Sequence, residues 1–174
     1  MTGTERRRRN QESHWPDIRS HDLIIPMPIP ALNRDGLLPP GIHECSLDEI
    51  RHRFGGFQQR DRRPHLFTRL EELVTAMVGS GLFESVLVDG SFVTAKPAPN
   101  DVDLLAVLKP GHDFERDLPV SDYALVSRSI LRRRSGFDVV VVERDSVVYE
   151  TYIDFFGRVR EAPDLRKGIL RLRL

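Results

Sequence analysis

The stretch VDGSFVTAKPAPNDVDLLAVL, residues 88–108, places a glycine turn and two closely spaced aspartates between apolar runs. The first run ends just before Gly90-Ser91, and the second begins at the pair Asp101-x-Asp103. Short apolar runs bounded by Gly, Pro and Asn predict strands, here over residues 82–89 and 102–108. The turn then follows one strand, and the aspartate pair opens the next.

The aspartate pair has the spacing of a metal site. Residues i and i+2 of a strand point to the same face, so Asp101 and Asp103 are expected to project together, with Val102 and Leu104 directed into the core. Two carboxylates close together repel, and one takes up a proton unless a cation lies between them. Mg²⁺ is the natural cation for such hard oxygens, and it binds through carboxylates together with substrate phosphates. The pair therefore predicts a magnesium site.

The Gly90-Ser91 turn adds features of a phosphate site. Glycine allows the backbone to approach a ligand closely, and the N–H groups of a turn at the start of a short helical segment bind phosphate oxygens. The Ser91 hydroxyl is expected to add a hydrogen bond. Lys96, in the loop that follows, is a candidate for a phosphate contact, with an ordinary surface lysine as the alternative. The turn and the aspartate pair together predict a metal–triphosphate site.

A third carboxylate is offered by Asp138, at the start of the valine-rich run GFDVVVV, residues 136–142. A run that is almost entirely valine predicts a strand covered on both faces. Beside Asp103 on an adjacent strand, Asp138 would complete a clamp for two Mg²⁺ ions, which lie about 3.5–4 Å apart in such sites. Asp138 is also a candidate for the base that takes a proton from an acceptor hydroxyl.

Two helices are expected before the first of these strands. Ser46-x-x-Glu49 is a capping box, and it predicts a helix that ends at Gly55-Gly56. A second helix is predicted from apolar residues at helical spacing, and Gly79 and Gly81 are expected to close it. The apolar residues of this second helix are Leu66, Phe67, Leu70, Leu73, Val74, Met77 and Val78.

Four further elements are expected after residue 108. Ser121-Asp122 predicts the start of a third helix that runs to about Arg134, followed by the strand 137–143 and a helix capped by Asp145 or Ser146. The inner face of the third helix is expected to carry Tyr123, Val126 and Ile130. The alternation of leucine and arginine over residues 170–174 predicts an edge strand. This order predicts an α/β (α+β) fold with a small mixed sheet flanked by helices.

The overall composition sets limits on compartment and partners. The chain has 174 residues, with 26 basic and 26 acidic side chains, so its net charge gives no general attraction to nucleic acid or anionic membranes. One cysteine excludes an intrachain disulfide, and no segment has the roughly 18 consecutive apolar residues of a membrane span. We expect a cytoplasmic protein with a disordered basic tail over residues 1–22 and a single domain over residues 23–174.

The spacing of these motifs resembles a known superfamily. Gly90-Ser91, Asp101-Val102-Asp103-Leu104 and the later Phe137-Asp138-Val139 resemble the pattern of the polymerase-beta-like nucleotidyltransferases. The chain is most similar to the minimal bacterial members. Among those it is most similar to an uncharacterised family that shares its strings LPPGIHECSLDEI, VDGSFVTAKPAPNDVDLL and KGILRL.

The resemblance implies the nucleotidyltransferase fold and a two-metal site. Asp101, Asp103 and Asp138 would bind two Mg²⁺ ions, and the Gly90-Ser91 turn would hold the phosphates of a nucleoside triphosphate. A nucleoside monophosphate would pass to a hydroxyl of a protein, an RNA or a small molecule. Small bacterial relatives occur in toxin–antitoxin and defence loci, which makes a partner protein a candidate acceptor.

The chain departs from the superfamily pattern at Asp89. An apolar residue usually precedes the Gly-Ser turn, and the aspartate here is either an extra polar group of the site or a buried, hydrogen-bonded carboxylate. This departure and the lack of an obvious acceptor-binding domain keep open a catalytically inactive nucleotide-binding or partner-regulating module. A weaker alternative is RNA binding through the arginine-rich tail and a basic patch on the third helix. The patch consists of Arg128, Arg132, Arg133 and Arg134.

Overall fold

A five-stranded mixed sheet with helices on both faces forms the centre of the protein, in a computed structural model that describes residues 29–56, 62–160 and 162–174. The strands are β1 (Gly41–Cys45), β2 (Phe83–Asp89), β3 (Asp103–Leu108), β4 (Asp138–Glu143), β5 (Arg158–Val159), β6 (Ala162–Arg166) and β7 (Gly168–Arg173). The helices are α1 (Leu47–Ile50), α2 (Arg62–Ser80), α3 (Val120–Val126), α4 (Arg128–Ser135) and α5 (Val147–Phe156). The predicted fold class, a small mixed sheet flanked by helices, is confirmed. The basic tail predicted over residues 1–22 lies outside the described residues.

The strand order of the main sheet is β1-β7-β2-β3-β4, with β5 and β6 as a separate antiparallel pair. The outer pairs β1–β7 and β3–β4 are parallel, whereas β2 is antiparallel to both of its neighbours. The expectation that the last strand is an edge strand was wrong, because β1, which the sequence pattern did not reveal, covers that edge. Glu44 of β1 accepts hydrogen bonds from Arg171 and Arg173 of β7 at 3.2 and 3.1 Å, which explains how an interior strand carries arginines.

Helix α2 packs on one face of the sheet and α5 on the other. The larger cluster combines the apolar face of α2 with alternate residues of β2, β3 and β7, while the smaller cluster joins α5 to the residues in between. Strand residues alternate between the two clusters, as the pleat of a strand requires. Val86, Leu104 and Leu170 belong to the larger cluster, and Leu87, Leu105 and Ile169 to the smaller.

The two helices predicted at the start of the fold are confirmed. Ser46 forms both hydrogen bonds of its capping box with Glu49, and α1 continues into a π-helical turn over Arg51–Gly55. Helix α2 spans 19 residues and ends at Ser80, but Val78 is exposed and does not belong to its buried face. Within the described ranges, no helix is both long and apolar enough to cross a membrane.

The third predicted helix is divided into α3 and α4. Ser127, between them, has an extended backbone with φ −89° and ψ 105°. Of the predicted inner face, Val126 packs against the larger cluster as expected, but Tyr123 does not, because the buried face of α3 includes Ala124. Ala124 and Leu131 are the buried apolar residues of the two helices, and Tyr123 is exposed. The break also sets the start of α4, where Arg128 lies close to β4.

Candidate functional site

Three aspartates lie side by side at one end of the main sheet. Asp89 ends β2, whereas Asp103 and Asp138 begin β3 and β4. The strand register pairs Asp103 with Asp89 on one side and with Asp138 on the other. Because paired Cα atoms of neighbouring strands lie about 5 Å apart, the three carboxylates form a continuous acidic edge.

Asp101 joins this edge from the loop that precedes β3. Strand β3 begins at Asp103, so the orientation of Asp101 follows from hydrogen bonds rather than from the strand periodicity that we assumed. The Ser91 N–H donates to Asp101 Oδ1 at 2.9 Å, and the Ser91 hydroxyl donates to the same oxygen. Ser91 Oγ in turn accepts from the Asn100 N–H at 2.9 Å. The two groups of Ser91 that were expected to bind phosphate are thus engaged by Asp101.

Gly90 allows the turn and the aspartate pair to approach each other. Its φ of +87° lies in the region that favours glycine. A Cβ at this position would lie 3.0 Å from the Asp101 carbonyl oxygen and 3.0 Å from the Asp103 nitrogen. The turn itself continues into a single 3₁₀ turn over Ser91–Val93. The backbone of Gly90 is therefore part of the wall of the acidic edge.

Asp89 forms a buried ion pair with Lys167. The two side chains are only 7% and 13% exposed, and the Lys167 ammonium donates to Asp89 Oδ1. Burial raises the pKa of Asp89 above its ordinary value, although the charge and hydrogen bond of Lys167 act in the opposite direction. Asp89 is thus the buried, hydrogen-bonded carboxylate of the two readings that the sequence left open. Lys167 was missed, because it lies 78 residues away along the chain.

Asp138 is bound at its outer side by Arg128. The guanidinium Nε donates to Asp138 Oδ1 at 3.0 Å, and one terminal nitrogen donates to both carboxylate oxygens at 2.8 and 2.9 Å. Both side chains are largely exposed, at 58% and 44%. The hydrogen bonds and the charge of Asp138 raise the pKa of Arg128. Of the four arginines in the predicted basic patch, Arg128 is thus directed at the acidic edge, while Arg132, Arg133 and Arg134 lie in the last turn of α4.

The electrostatic strain of the acidic edge is concentrated at Asp103. Burial, followed by the charges of Asp101, Asp89 and Asp138, raises the pKa of Asp103 to about 6. Asp101 has the opposite shift. Burial acts to raise its pKa, but the hydrogen bonds from Ser91 and the charge of Lys96 outweigh burial and lower it. Asp103 is therefore the carboxylate at which an additional cation would relieve the most repulsion.

The donor chemistry of the edge suits Mg²⁺, although its side chains are engaged elsewhere. Aspartate oxygens are the ligands that Mg²⁺ prefers. Across the part of the chain that the structure describes, however, no three His, Cys, Asp or Glu side chains are arranged as a metal-binding group. Asp89, Asp101 and Asp138 bind Lys167, Ser91 and Arg128 respectively. A cation that bound the same oxygens of Asp89 or Asp138 would compete for them with Lys167 or Arg128.

Lys96 lies in the loop between the Gly-Ser turn and Asp101. The residue is exposed, its backbone N–H donates to Thr94 Oγ1 at 3.2 Å, and its carbonyl accepts a hydrogen bond from Arg63 at 2.7 Å. Its charge contributes to the lowered pKa of Asp101. The structure thus places Lys96 on the loop side of the site.

The comparisons with known proteins give one match. The sequence profile of a family of unknown function, DUF6932, matches residues 30–173. This range includes the Gly-Ser turn, the whole acidic edge and Lys167. No curated protein and no solved structure matches the chain.

Proposed function

The chain belongs to the DUF6932 family of unknown function, and we propose that it is a Mg²⁺-dependent nucleotidyltransferase. The oxygen of an acceptor hydroxyl, on a protein, an RNA or a small molecule, would form a bond to the α-phosphorus of a nucleoside triphosphate while the bond to the β-phosphate breaks, so that a nucleoside monophosphate is transferred and pyrophosphate leaves. The strand register that sets Asp103 between Asp89 and Asp138 is the observation that carries this proposal. The resemblance of the motifs to polymerase-beta-like nucleotidyltransferases supports it.

Asp101, Asp103 and Asp138 are the residues proposed to hold two Mg²⁺ ions. Bound Mg²⁺ would neutralise phosphate charge and favour ionisation of the attacking hydroxyl. The Gly90-Ser91 turn and Lys96 would orient the phosphates of the nucleotide. Asp138, once released from Arg128, would accept the proton of the acceptor hydroxyl at a carboxylate oxygen.

Two ion pairs favour a second candidate, a catalytically inactive nucleotide-binding or partner-regulating module. Arg128 places positive charge against Asp138, one of the proposed metal ligands, and Lys167 places a second positive charge beside the acidic edge, against Asp89. A module of this kind would bind a nucleotide or a partner protein without transferring a nucleotide. A toxin–antitoxin or defence context fits either candidate, and RNA remains a possible acceptor or ligand.

Label transfer from nucleotides tests the proposal. The protein is incubated with Mg²⁺ and each nucleoside triphosphate labelled on the α-phosphate, both alone and with a cell lysate. We expect transfer by the wild type and by Asp164→Asn, an exposed aspartate of β6. Asp101→Asn, Asp103→Asn and Asp138→Asn should lose transfer. Mg²⁺-dependent nucleotide binding without transfer would favour the inactive module, and the absence of both would contradict the enzyme and the nucleotide-binding form of the module.

A further inference from the structure

Arg63 is a charged residue that is fully buried beside Phe54 and Phe92 of the larger core cluster. It occupies the first turn of α2, its relative exposure is 0%, and it is among the largest fully buried side chains of the described residues. Burial lowers its pKa. A buried guanidinium is costly unless its N–H groups are satisfied, so its contacts indicate what the residue does.

The guanidinium binds backbone carbonyls of the loop that follows the Gly-Ser turn. One terminal nitrogen donates to the carbonyl of Phe92 at 2.8 Å and to that of Phe54 at 3.1 Å. The other donates to the carbonyls of Thr94 at 2.8 Å and of Lys96 at 2.7 Å. Three of these four carbonyls belong to residues 92–96. The planar fork of arginine suits this arrangement, whereas a lysine has one nitrogen and cannot reach all four acceptors.

The same loop is also bound by the backbone of Gly36. The Ala95 N–H donates to the Gly36 carbonyl at 2.8 Å. A Cβ on Gly36 would lie 2.6 Å from the Ala95 Cβ, so the contact is close. An irregular loop has no strand ladder to satisfy its backbone groups. Over residues 92–96, Arg63 and Gly36 provide hydrogen-bond partners for these backbone groups.

Phe92 connects Arg63 to the acidic edge. Its carbonyl accepts from Arg63, its N–H donates to the Asp101 carbonyl at 3.3 Å, and its ring lies beneath the guanidinium at 5.5 Å. The preceding residue, Ser91, orients the Asp101 carboxylate. A displacement of Phe92 would therefore move the turn and Asp101 together.

From these contacts we propose that Arg63 is a positioning residue, which fixes the Gly90-Ser91 turn and Asp101 in the arrangement that receives a ligand. The effect on nucleotide binding rests on the proposed function, but the effect on the loop does not. The proposal explains why an arginine is buried 28 residues before the turn that it holds.

Hydrogen exchange measured by mass spectrometry tests the role of Arg63 in the loop. We compare the wild type, Arg63→Lys and Phe156→Leu, the last of which weakens the core on the opposite face of the sheet. In Arg63→Lys, peptides that cover residues 91–96 should exchange about tenfold faster than in Phe156→Leu, since several hydrogen bonds to the loop are lost. Equal exchange of this loop in the two variants would overturn the proposal.

Two further measurements, amide exchange of the wild type and nucleotide binding, also test the role of Arg63. If Arg63→Lys does not fold, the wild type alone is informative, because the Phe92 and Ala95 amides should exchange as slowly as the strands. Fast exchange of these amides would contradict the proposal. Binding of Mg²⁺ with ATP, GTP, CTP or UTP should weaken about tenfold in Arg63→Lys and remain in Phe156→Leu. If the wild type binds none of the four, the proposed function fails, and the exchange measurement still decides the role of Arg63.

Discussion

Asp101, on the loop side of the site, is stabilised in its charged form, whereas Asp103, on the strand side, is destabilised in that form. The two residues are separated by a single valine. At Asp101 the hydrogen bonds from Ser91 outweigh burial and lower the pKa, whereas at Asp103 burial and the charges of Asp101, Asp89 and Asp138 all raise it. The sheet thus brings the negative charges of Asp89, Asp103 and Asp138 together. On the loop side, the neutral hydrogen-bond donors of Ser91 stabilise the charge of Asp101. An arrangement that lowers stability in this way is typical of a functional site.

The largest expected effect concerns the buried ion pair of Lys167 with Asp89, which reduces the negative charge of the acidic edge. Lys167→Met leaves Asp89 buried without its partner, and we expect it to lower the free energy of unfolding at neutral pH by about 3 kcal/mol. Without Lys167 the pKa of Asp89 rises further, so the carboxyl is neutral at acid pH and the loss should diminish as the pH falls. Chemical denaturation between pH 5 and 8 measures the effect.

Two variants control this prediction. Lys109→Met replaces an exposed lysine that follows β3 and should change stability little. Lys167→Met/Asp89→Asn removes both charges and should recover most of the loss. An undiminished loss in the double variant would show that packing of the Lys167 side chain, rather than the ion pair, stabilises the fold.

A smaller effect of opposite sign is expected at Asp103. Its pKa in the folded protein, about 6, exceeds the ordinary value of 3.8, so ionisation of Asp103 destabilises the fold as the pH rises through this interval. Asp103→Asn should therefore raise the free energy of unfolding at pH 7 by about 1 kcal/mol, after allowance for the partial exposure of the group. At pH 4 the variant and the wild type should be nearly equal. Lower stability of Asp103→Asn at pH 7 would contradict the crowding of carboxylates.

The smallest effect is expected on the loop side. Ser91→Ala removes the hydroxyl that donates to Asp101 Oδ1 but keeps the backbone N–H donor, and we expect a loss of about 0.5 kcal/mol because the acceptor is exposed. The pKa of Asp101, measured by NMR titration, should rise toward its ordinary value. Ser121→Ala is a matched control, since Ser121 also donates to an exposed aspartate, Asp122, at 3.1 Å. An unchanged Asp101 pKa would mean that the Ser91 hydroxyl does not stabilise the charged form of Asp101.

Three members of the acidic edge, Asp89, Asp103 and Asp138, could be placed from the sequence because each begins or ends a strand with a clear pattern, whereas Asp101 lies in the loop before β3. The valine run predicted a strand opened by Asp138, and the structure places that strand beside β3. Helix α2 was predicted from its apolar spacing, and α1 from the capping box at Ser46. These are local patterns, which a single sequence displays directly.

The residues that the sequence did not reveal act through long-range pairing or through the backbone. Lys167 reaches Asp89 because β7 lies beside β2, an adjacency that no local pattern encodes. Arg63 binds carbonyl oxygens, which every residue carries, so its acceptors leave no trace in the sequence. The break at Ser127 likewise has no signal in the sequence, since residues 121–134 contain neither proline nor glycine.

Mg²⁺-dependent binding of labelled nucleoside triphosphates, measured by equilibrium dialysis, tests the central claim most directly. The claim is that the acidic edge and the adjoining turn form one metal–nucleotide site. Wild type and Asp164→Asn should bind at least one of the four nucleotides equally well. Binding by Asp103→Asn should be weaker by about tenfold or more, although this variant is expected to be the more stable protein. Binding by Asp103→Asn as tight as that of the wild type, or a wild type that binds none of the four, would contradict the claim.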